Sequence, residues 1–251
     1  FAPVADVNNN PKNPVISFRS FGENRELVAQ KAIAYLQGMQ SRGLLANAKH
    51  FPGHGDTDTD SHKDLPLITH DRNRLDSIEL YPFRELIKAG AASMMVAHIS
   101  IPALDNTPNL PTTLSKAVVT DLLQTELGFQ GLIFTDALNM KGVTKFFPPG
   151  KVDVKAILAG NDVLLFTENV PKAITEIEKA IASGELQQEE IDRRCRKILA
   201  VKRWVGLHQY QPIQIDSLHE RLNTPEHRLL LRKLTAASLT VLKNDSEAIP
   251  I

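Results

Sequence analysis

Three histidines, three aspartates and a lysine fall within the fourteen residues of Lys49–His62. The segment follows a short apolar run, 44–48, and contains Pro52 and two glycines. An apolar run that leads into glycine, proline and titratable side chains is typical of a buried strand that delivers a loop. Folding does not require so many ionisable groups in a short loop. We therefore interpret the segment as part of a site for chemistry or ligand binding.

Within this loop, Asp60 and His62 are separated by one residue. An aspartate at that spacing in an extended loop can hold an imidazole, select its tautomer and raise its pKa. His62 is then a candidate general acid near neutral pH. An Asp–His pair that only braces the loop explains the same two residues equally well. Gly53 and Gly55 suggest a loop that moves, so that His62 reaches its working position when substrate binds.

A second candidate carboxylate, Asp136, ends the apolar segment 131–135. A carboxylate in that position is costly to desolvate unless it is paired or used. The structural alternative is a residue that caps the following turn. One nucleophilic carboxylate and one proton donor are the minimum that a retaining glycosidase needs. In this chain His62 would replace the usual acid carboxyl group.

Metal sites are the main alternative for the same loop. Its alternating aspartates imitate the start of a calcium-binding loop, but Ser61 and Leu67 stand where that loop needs glycine and glutamate. Its histidines lack an H-E-x-x-H or H-x-E pattern, and Pro52 and Gly53 break any helix that would align them. We expect no metal and no organic cofactor, with zinc as a minor alternative.

The composition of the chain narrows the possible partners. Of its 251 residues 42% are hydrophobic, and 29 basic residues balance 29 acidic ones, so the formal net charge is zero. This balance argues against a nucleic-acid partner or a polybasic membrane surface. No apolar run approaches the roughly 20 residues that cross a bilayer. The single cysteine, Cys195, excludes an internal disulfide, and its helical pattern predicts a buried, inert thiol.

Short apolar segments alternate with amphipathic stretches along most of the chain. The predicted strands cover 1–7, 44–50, 92–98, 131–136 and 162–166. The predicted helices cover 24–42, 76–89, 115–127, 151–159, 171–183 and 189–204, and one more lies near 225–237. This alternation predicts parallel βαβ units.

The ends of the predicted strands decide between two α/β architectures. Asp6, His50, His98 and Asp136 each end a different strand, and a barrel collects its site from many strand ends. A doubly wound sheet commonly carries a glycine-rich phosphate fingerprint, which this sequence lacks. We therefore predict a (β/α)8-type TIM barrel in residues 1–207. Since five strands are visible where a barrel needs about eight, we expect its first strands to precede Phe1.

After these elements are placed, several segments become familiar. Lys49–His62 closely resembles the K-H-F-P-G-H-G-x-x-x-x-D-S-H signature of family 3 glycoside hydrolases, in the β-N-acetylhexosaminidase subgroup. Similar segments occur in the family's order at Phe1–Val7, Arg19–Gly22, Met94–His98 and Phe134–Leu138. The resemblance extends over residues 1–207. The segment Ala237–Asn244 is similar to the first strand of that family's C-terminal α/β sandwich domain, so 208–251 is predicted to be a linker and the beginning of such a domain.

The resemblance implies an exo-glycosidase that removes terminal β-linked N-acetylglucosamine from small oligosaccharides or muropeptides, such as peptidoglycan or chitin fragments. Asp136 matches the nucleophile that forms a covalent glycosyl-enzyme. His62 matches the acid/base residue, and Asp60 matches its partner.

The resemblance also implies the residues that bind the sugar. Arg19, Lys49 and His50 match positions that contact sugar hydroxyls, while Asp6 and His98 lie in matching segments and are expected to line or support the pocket. The remaining partner would be the C-terminal domain of the same parent chain. The compartment, bacterial cytoplasm or periplasm, stays open because an export signal would precede Phe1.

Three alternatives remain from the sequence. A β-glucosidase or β-xylosidase of the same superfamily is the first, although those enzymes generally lack the Asp-Ser-His loop. A non-catalytic saccharide-binding module is the second, and a metal-dependent hydrolase is the third.

Overall fold

The computed structural model of the chain describes residues 1–61, 63–241, 243 and 245. It divides into two compact units, Phe1–His208 and Gln209–Ile251. The first unit holds a parallel sheet with its helices, and the described part of the second holds two helices. Within the described ranges, no helix combines the length and the apolar character needed to cross a membrane.

The sheet of the first unit has four parallel strands, β1 (Asn47–Phe51), β2 (Ser93–Val96), β3 (Leu132–Ala137) and β4 (Val163–Leu165). Their order in space, β1-β2-β3-β4, is also their order in the chain. Each connection therefore joins neighbouring parallel strands, and helices lie in the connections, as the alternating pattern predicts.

The N-terminal segment, predicted as a strand, lies beside β1 in parallel but is not a regular strand. Val4 and Lys49 form an isolated parallel bridge. Ala5 N–H donates to the Lys49 carbonyl at 2.6 Å, and Lys49 N–H donates to the Pro3 carbonyl at 3.1 Å. Pro3 has no N–H to contribute, which limits the regularity of the ladder.

The described strands form an open sheet rather than a closed barrel. All three residues of β4, Val163–Leu165, are half-exposed. Among the described residues no further strand pairs with β4 or with the N-terminal segment. The TIM-barrel prediction is therefore confirmed only as far as a parallel α/β sheet, and barrel closure stays a prediction.

The helices of the first unit are α1 (Arg25–Gln40), α2 (Arg72–Ser77), α3 (Tyr81–Lys88), α4 (Lys141–Thr144), α5 (Lys151–Ala159), α6 (Val170–Ala182) and α7 (Gln188–Trp204), with a π-helix at Ala117–Glu126. Short 3₁₀ turns occur at Ser17–Arg19, Thr112–Leu114 and Leu207–Gln209. The second unit contains α8 (Leu218–Leu222) and α9 (Pro225–Ser238).

Two predicted helices differ from the observed ones. The stretch 76–89 is predicted as one helix but overlaps two, the end of α2 and all of α3. The helix is interrupted because Pro82, in the first turn of α3, lacks the N–H that a continuous helix would use. The stretch 115–127 has i→i+5 hydrogen bonds, and Leu127 N–H donates to the Leu122 carbonyl at 2.9 Å. Gly90 and Gly128 follow these helices with φ of +83° and +69°, as expected for glycine stops.

The main hydrophobic core lies between the sheet and the helices α1, α3 and the π-helix. Leu36, Phe51, Phe83, Met94 and Leu123 are fully buried there. The rings of Phe51 and Phe83 meet edge to face, with centroids 5.4 Å apart at 88°. This packing holds β1 and β2 in place behind the loops that follow them.

The prediction of a buried Cys195 is wrong, because this thiol is exposed on α7. The buried position on this helix is the preceding residue, Arg194. Its guanidinium donates to the carbonyls of Asn161 and Ile157, both at 2.9 Å. An arginine that caps two carbonyls therefore faces inward and turns its neighbour out to solvent.

Candidate active site

The carboxyl ends of β1, β2 and β3 lie along one edge of the sheet. Phe51 pairs with Val96, and Val96 pairs with Thr135, so the residues next to these positions lie close together. This register brings His50, His98 and Asp136 to the same edge. The sequence predicts all three as site residues, and the sheet explains why they meet.

Asp6 is fully buried and holds the start of the loop that follows β1. Its Oδ2 lies 2.8 Å from His50 Nδ1, and its Oδ1 accepts from the His54 amide at 2.7 Å. Burial raises the pKa of this carboxyl group, but His50 and the His54 amide outweigh burial and keep the pKa below its usual value of 3.8. Asp6 is therefore ionised at neutral pH and satisfied within the protein.

His54 braces the loop internally. Its Nδ1 lies 2.8 Å from Thr57 Oγ1, and its Nε2 lies 3.3 Å from Ser61 Oγ. Burial, followed by the neighbouring His50, lowers the pKa of this imidazole below 6.5. A neutral, buried ring with both nitrogens near hydroxyl groups serves the shape of the loop.

The two loop glycines are required by close packing. A Cβ on Gly55 would overlap the carbonyl group of Val7, and Gly53 has a φ of +130° with its missing Cβ directed at Glu79. Close packing therefore explains these glycines more simply than loop movement does, because the backbone passes too close to its neighbours for a side chain.

Asn13 is a site residue that sequence reasoning missed. Its Nδ2 donates to the carbonyls of His54 at 2.8 Å and Gly55 at 3.2 Å. Its Oδ1 accepts from the amides of Val15 at 2.9 Å and Ile16 at 2.7 Å. The side chain thus ties the segment that leads to Arg19 to the loop after β1. The only local sequence feature is an Asn-Pro pair, which is typical of turns in general.

Asp136 is half-buried at the end of β3, and its Oδ1 accepts from the Ala137 amide at 2.8 Å. Burial raises the pKa of this carboxyl group, but His98, His50 and the Ala137 amide outweigh burial and hold the pKa below 3.8. Asp136 is therefore a carboxylate at neutral pH, as a nucleophile must be.

The cation Lys49 interacts electrostatically with Asp136, and Arg19 in turn interacts with Lys49. Burial, followed by the charge of Arg19, lowers the pKa of Lys49, while Asp136 and Asp6 oppose that shift. Lys49 is half-buried, and Arg19 is exposed with its Nη1 donating to the Val15 carbonyl at 3.2 Å. The structure thus places Lys49 close to both the predicted nucleophile and the predicted sugar-binding arginine.

His98 is fully buried two residues beyond β2. Its Nδ1 lies 2.8 Å from Thr113 Oγ1, and its Nε2 lies 3.0 Å from the Ala137 carbonyl oxygen. Both ring nitrogens therefore contact protein groups. Thr113 carries no feature in the sequence that marks it as a site residue.

The predicted acid/base pair cannot be placed completely, because His62 lies outside the described residues. Asp60 is half-buried, and its carbonyl accepts from the Lys63 and Asp64 amides at 2.9 and 3.1 Å. Gly142 N–H in α4 donates to the Ser61 carbonyl at 3.2 Å. This part of the loop therefore contacts the helix that follows Asp136, and the Asp60–His62 pair stays a prediction.

One group of possible metal ligands occurs among the described residues, namely Asp56, His70 and Glu79, whose ligand atoms lie within 4.8 Å of one another. His70 Nε2 contacts Asp56 Oδ2 at 2.6 Å. Arg74 Nη2 donates to Glu79 at 3.1 Å and lies 3.5 Å from Asp56. The guanidinium already supplies a positive charge between the carboxylates, so this cluster fits an ionic brace behind the loop.

The first unit is thus an α/β domain whose charged site lies at the carboxyl ends of parallel strands. Residues 1–201 match the model described as the glycosyl hydrolase family 3 N terminal domain. The chain therefore belongs to glycoside hydrolase family 3.

Individual relatives agree with this membership. The chain is 37% identical over 264 residues to "Beta-hexosaminidase A" of Pseudoalteromonas piscicida, covering 98% of this chain and 44% of the relative. A solved structure of a family 3 β-N-acetylglucosaminidase from Paenibacillus sp. str. FPU-7 matches this chain with a TM-score of 0.92 and 41% identity. The match covers 97% of this chain and 46% of that protein. A structure of the β-glucoside phosphorylase BglX has a TM-score of 0.92 at 27% identity, with 100% of this chain and 47% of the other covered. The chain spans about half the length of the relatives it matches.

Proposed function

We propose that the protein is a retaining exo-β-N-acetylglucosaminidase that removes terminal β-linked N-acetylglucosamine from small oligosaccharides or muropeptides. The observation that supports this proposal best is Asp136, a carboxylate with a lowered pKa at the end of β3, in the electrostatic range of the cation Lys49. The name of the Paenibacillus structure supports the sugar, since that protein is described as a β-N-acetylglucosaminidase.

The proposed reaction has two steps. Asp136 attacks the anomeric carbon and forms a covalent glycosyl ester, while His62 donates a proton to the departing glycosidic oxygen. His62 then removes a proton from water, which hydrolyses the ester and releases the sugar. Asp60 would hold the imidazole in the required tautomer. No metal or organic cofactor takes part in this proposal.

The remaining site residues would bind the sugar or support the residues that do. Lys49 and Arg19 carry only donors, which suits sugar hydroxyls. His50 would contact the sugar through Nε2, because Asp6 lies against its Nδ1. We assign Asp6 and His98 supporting roles, because both are fully buried and hydrogen-bonded to protein groups.

The test measures release of nitrophenol from aryl N-acetylglucosaminides by the full-length gene product. Asp136→Ala should reduce kcat/KM by about 10³-fold or more. His62→Ala should slow substrates with poor leaving groups far more than activated ones. Asp58→Ala is the matched control, since Asp58 is an exposed carboxylate of the same loop. Equal losses on both substrate types would show that His62 is not the acid.

A second candidate is phosphorolysis, which the BglX phosphorylase structure favours through its TM-score of 0.92. Inorganic phosphate would then replace water in the second step. The same assay with added phosphate distinguishes the two, because phosphorolysis yields a glycosyl phosphate and hydrolysis yields the free sugar. Preference for an aryl glucoside would instead favour a β-glucosidase, and saccharide binding without turnover would favour a binding module.

A further inference from the structure

The ring of His98 lies between a hydroxyl group and a carbonyl group, which constrains its protons. The Ala137 carbonyl oxygen, 3.0 Å from Nε2, can only accept a hydrogen bond, so Nε2 must carry a proton. Thr113 Oγ1, 2.8 Å from Nδ1, can donate or accept. It also lies 2.5 Å from the Ala97 carbonyl and 3.0 Å from the Val96 carbonyl, so its single proton has three possible acceptors.

Every arrangement of that hydroxyl proton leaves the Nε2 proton in place. When Thr113 donates to Nδ1, the Ala97 carbonyl still accepts from Thr112 Oγ1 at 2.6 Å. When Thr113 donates to the Ala97 or the Val96 carbonyl, Nδ1 must carry its own proton. In each case His98 donates to Ala137.

Ala137 links this ring to the proposed nucleophile. Its amide N–H donates to Asp136 Oδ1 at 2.8 Å, while its carbonyl accepts from His98. The next amide, that of Leu138, donates to the Leu165 carbonyl of β4 at 2.9 Å. The backbone beyond Asp136 is thus held by β4 on one side and by His98 on the other.

We propose that His98 is a positioning residue that fixes the carboxylate of Asp136 through Ala137 and does not contact the sugar. This inference rests on the proposed role of Asp136 as nucleophile. The ring is fully buried and its two nitrogens contact protein groups, so it acts on Asp136 through the Ala137 backbone and through its charge, which lowers the pKa of that carboxyl group. A displacement of about 1 Å at a reacting group can cost about 10²-fold in rate, which sets the expected size of the effect.

The test compares His98→Phe, which removes the donor, with His98→Gln, whose amide can donate to the Ala137 carbonyl. We expect His98→Phe to lower kcat by about 10²-fold with little change in KM, and to move the acid limb of kcat/KM to higher pH. His98→Gln should recover kcat to within about tenfold of the unmodified enzyme. His208→Phe, the same substitution at an exposed histidine, is the matched control.

Equal losses in both variants with an unmoved acid limb would overturn the inference, because a purely structural residue would behave in that way. If His98→Phe fails to fold, Thr113→Val keeps the ring and removes its hydroxyl partner. That variant should lower kcat by about tenfold, and a kcat equal to that of the unmodified enzyme would overturn the proposal.

A measurement without turnover separates this inference from the proposed function. The pKa of the Asp136 carboxyl group can be followed by ¹³C NMR in the His98→Phe and His98→Gln variants, which both lack the imidazole charge. A higher pKa in His98→Phe than in His98→Gln supports the inference even if no glycoside is hydrolysed, and equal pKa values overturn it.

Discussion

Replacing Asp6 with asparagine tests the buried contact that organises the loop after β1. The carboxylate of Asp6 lies 2.8 Å from His50 Nδ1 and accepts from the His54 amide at 2.7 Å. Asparagine keeps the shape and one acceptor. Its amide nitrogen then faces either the backbone N–H of His54 or the ring of His50, so the two contacts cannot both remain as they are.

The expected loss of stability is worked from these two hydrogen bonds, the shortest that Asp6 makes; the His50 amide also donates to the carboxylate, at 3.2 Å to Oδ1. A hydrogen bond to a charged group contributes about 1.5–3 kcal/mol, and a neutral one contributes about 0.5–1.5 kcal/mol. Because Asp6 is fully buried, solvent does not screen the difference. Converting two charged bonds to neutral ones therefore costs roughly 2–3 kcal/mol in the free energy of unfolding. For a domain of this size that corresponds to a fall of about 5–10 °C in Tm.

The pH dependence of this loss has a definite sign. The pKa of Asp6 is lower in the folded protein than its usual value of 3.8, so ionisation of Asp6 stabilises the fold above that value. The contribution disappears as the pH falls through the folded-state pKa. Asparagine cannot ionise. The difference in the free energy of unfolding between the unmodified protein and Asp6→Asn should therefore be constant above about pH 5 and should narrow in more acidic solution.

The assay is denaturant unfolding of the unmodified protein and the variant across this pH range. Asp58→Asn, an exposed carboxylate of the same loop, is the control and should change the free energy of unfolding by less than about 0.5 kcal/mol. A loss below about 1 kcal/mol for Asp6→Asn at neutral pH, or a difference that stays constant in acid, would refute the reasoning.

Three further predictions concern the same site. Gly55→Ala should destabilise the fold by more than about 2 kcal/mol in denaturant unfolding, because its Cβ would overlap the Val7 carbonyl group; wild-type stability would contradict this packing. Asn13→Ala should raise KM more than it lowers kcat, because the segment leading to Arg19 loses its tie to the loop; an unchanged KM would show that this tie does not order the sugar site. The decrease of kcat/KM in acid, measured by brief exposure to each pH, should occur below pH 3.8, because the pKa of Asp136 is lowered. A decrease that begins above that value would mean that another group controls it.

Much of the architecture could be predicted from local patterns. The alternation of apolar segments and amphipathic helices indicates a parallel α/β sheet, and all four strands lie in or beside predicted ones. Asp136 lies next to the last residue of β3, as expected for a charged side chain that follows an apolar segment. The prediction of a buried Cys195 was wrong because periodicity does not show that the neighbouring Arg194 is buried and caps two carbonyls.

The sequence by itself determined which side chains could perform chemistry and which strand or loop carries each of them, because those features depend on residues close together in the chain. Tertiary structure alone decided how these side chains are held. Asp6 meets His50 across 44 positions, Asn13 meets His54 across 41, and His98 meets Ala137 across 39. Such contacts depend on how strands and loops pack, and no local periodicity encodes them.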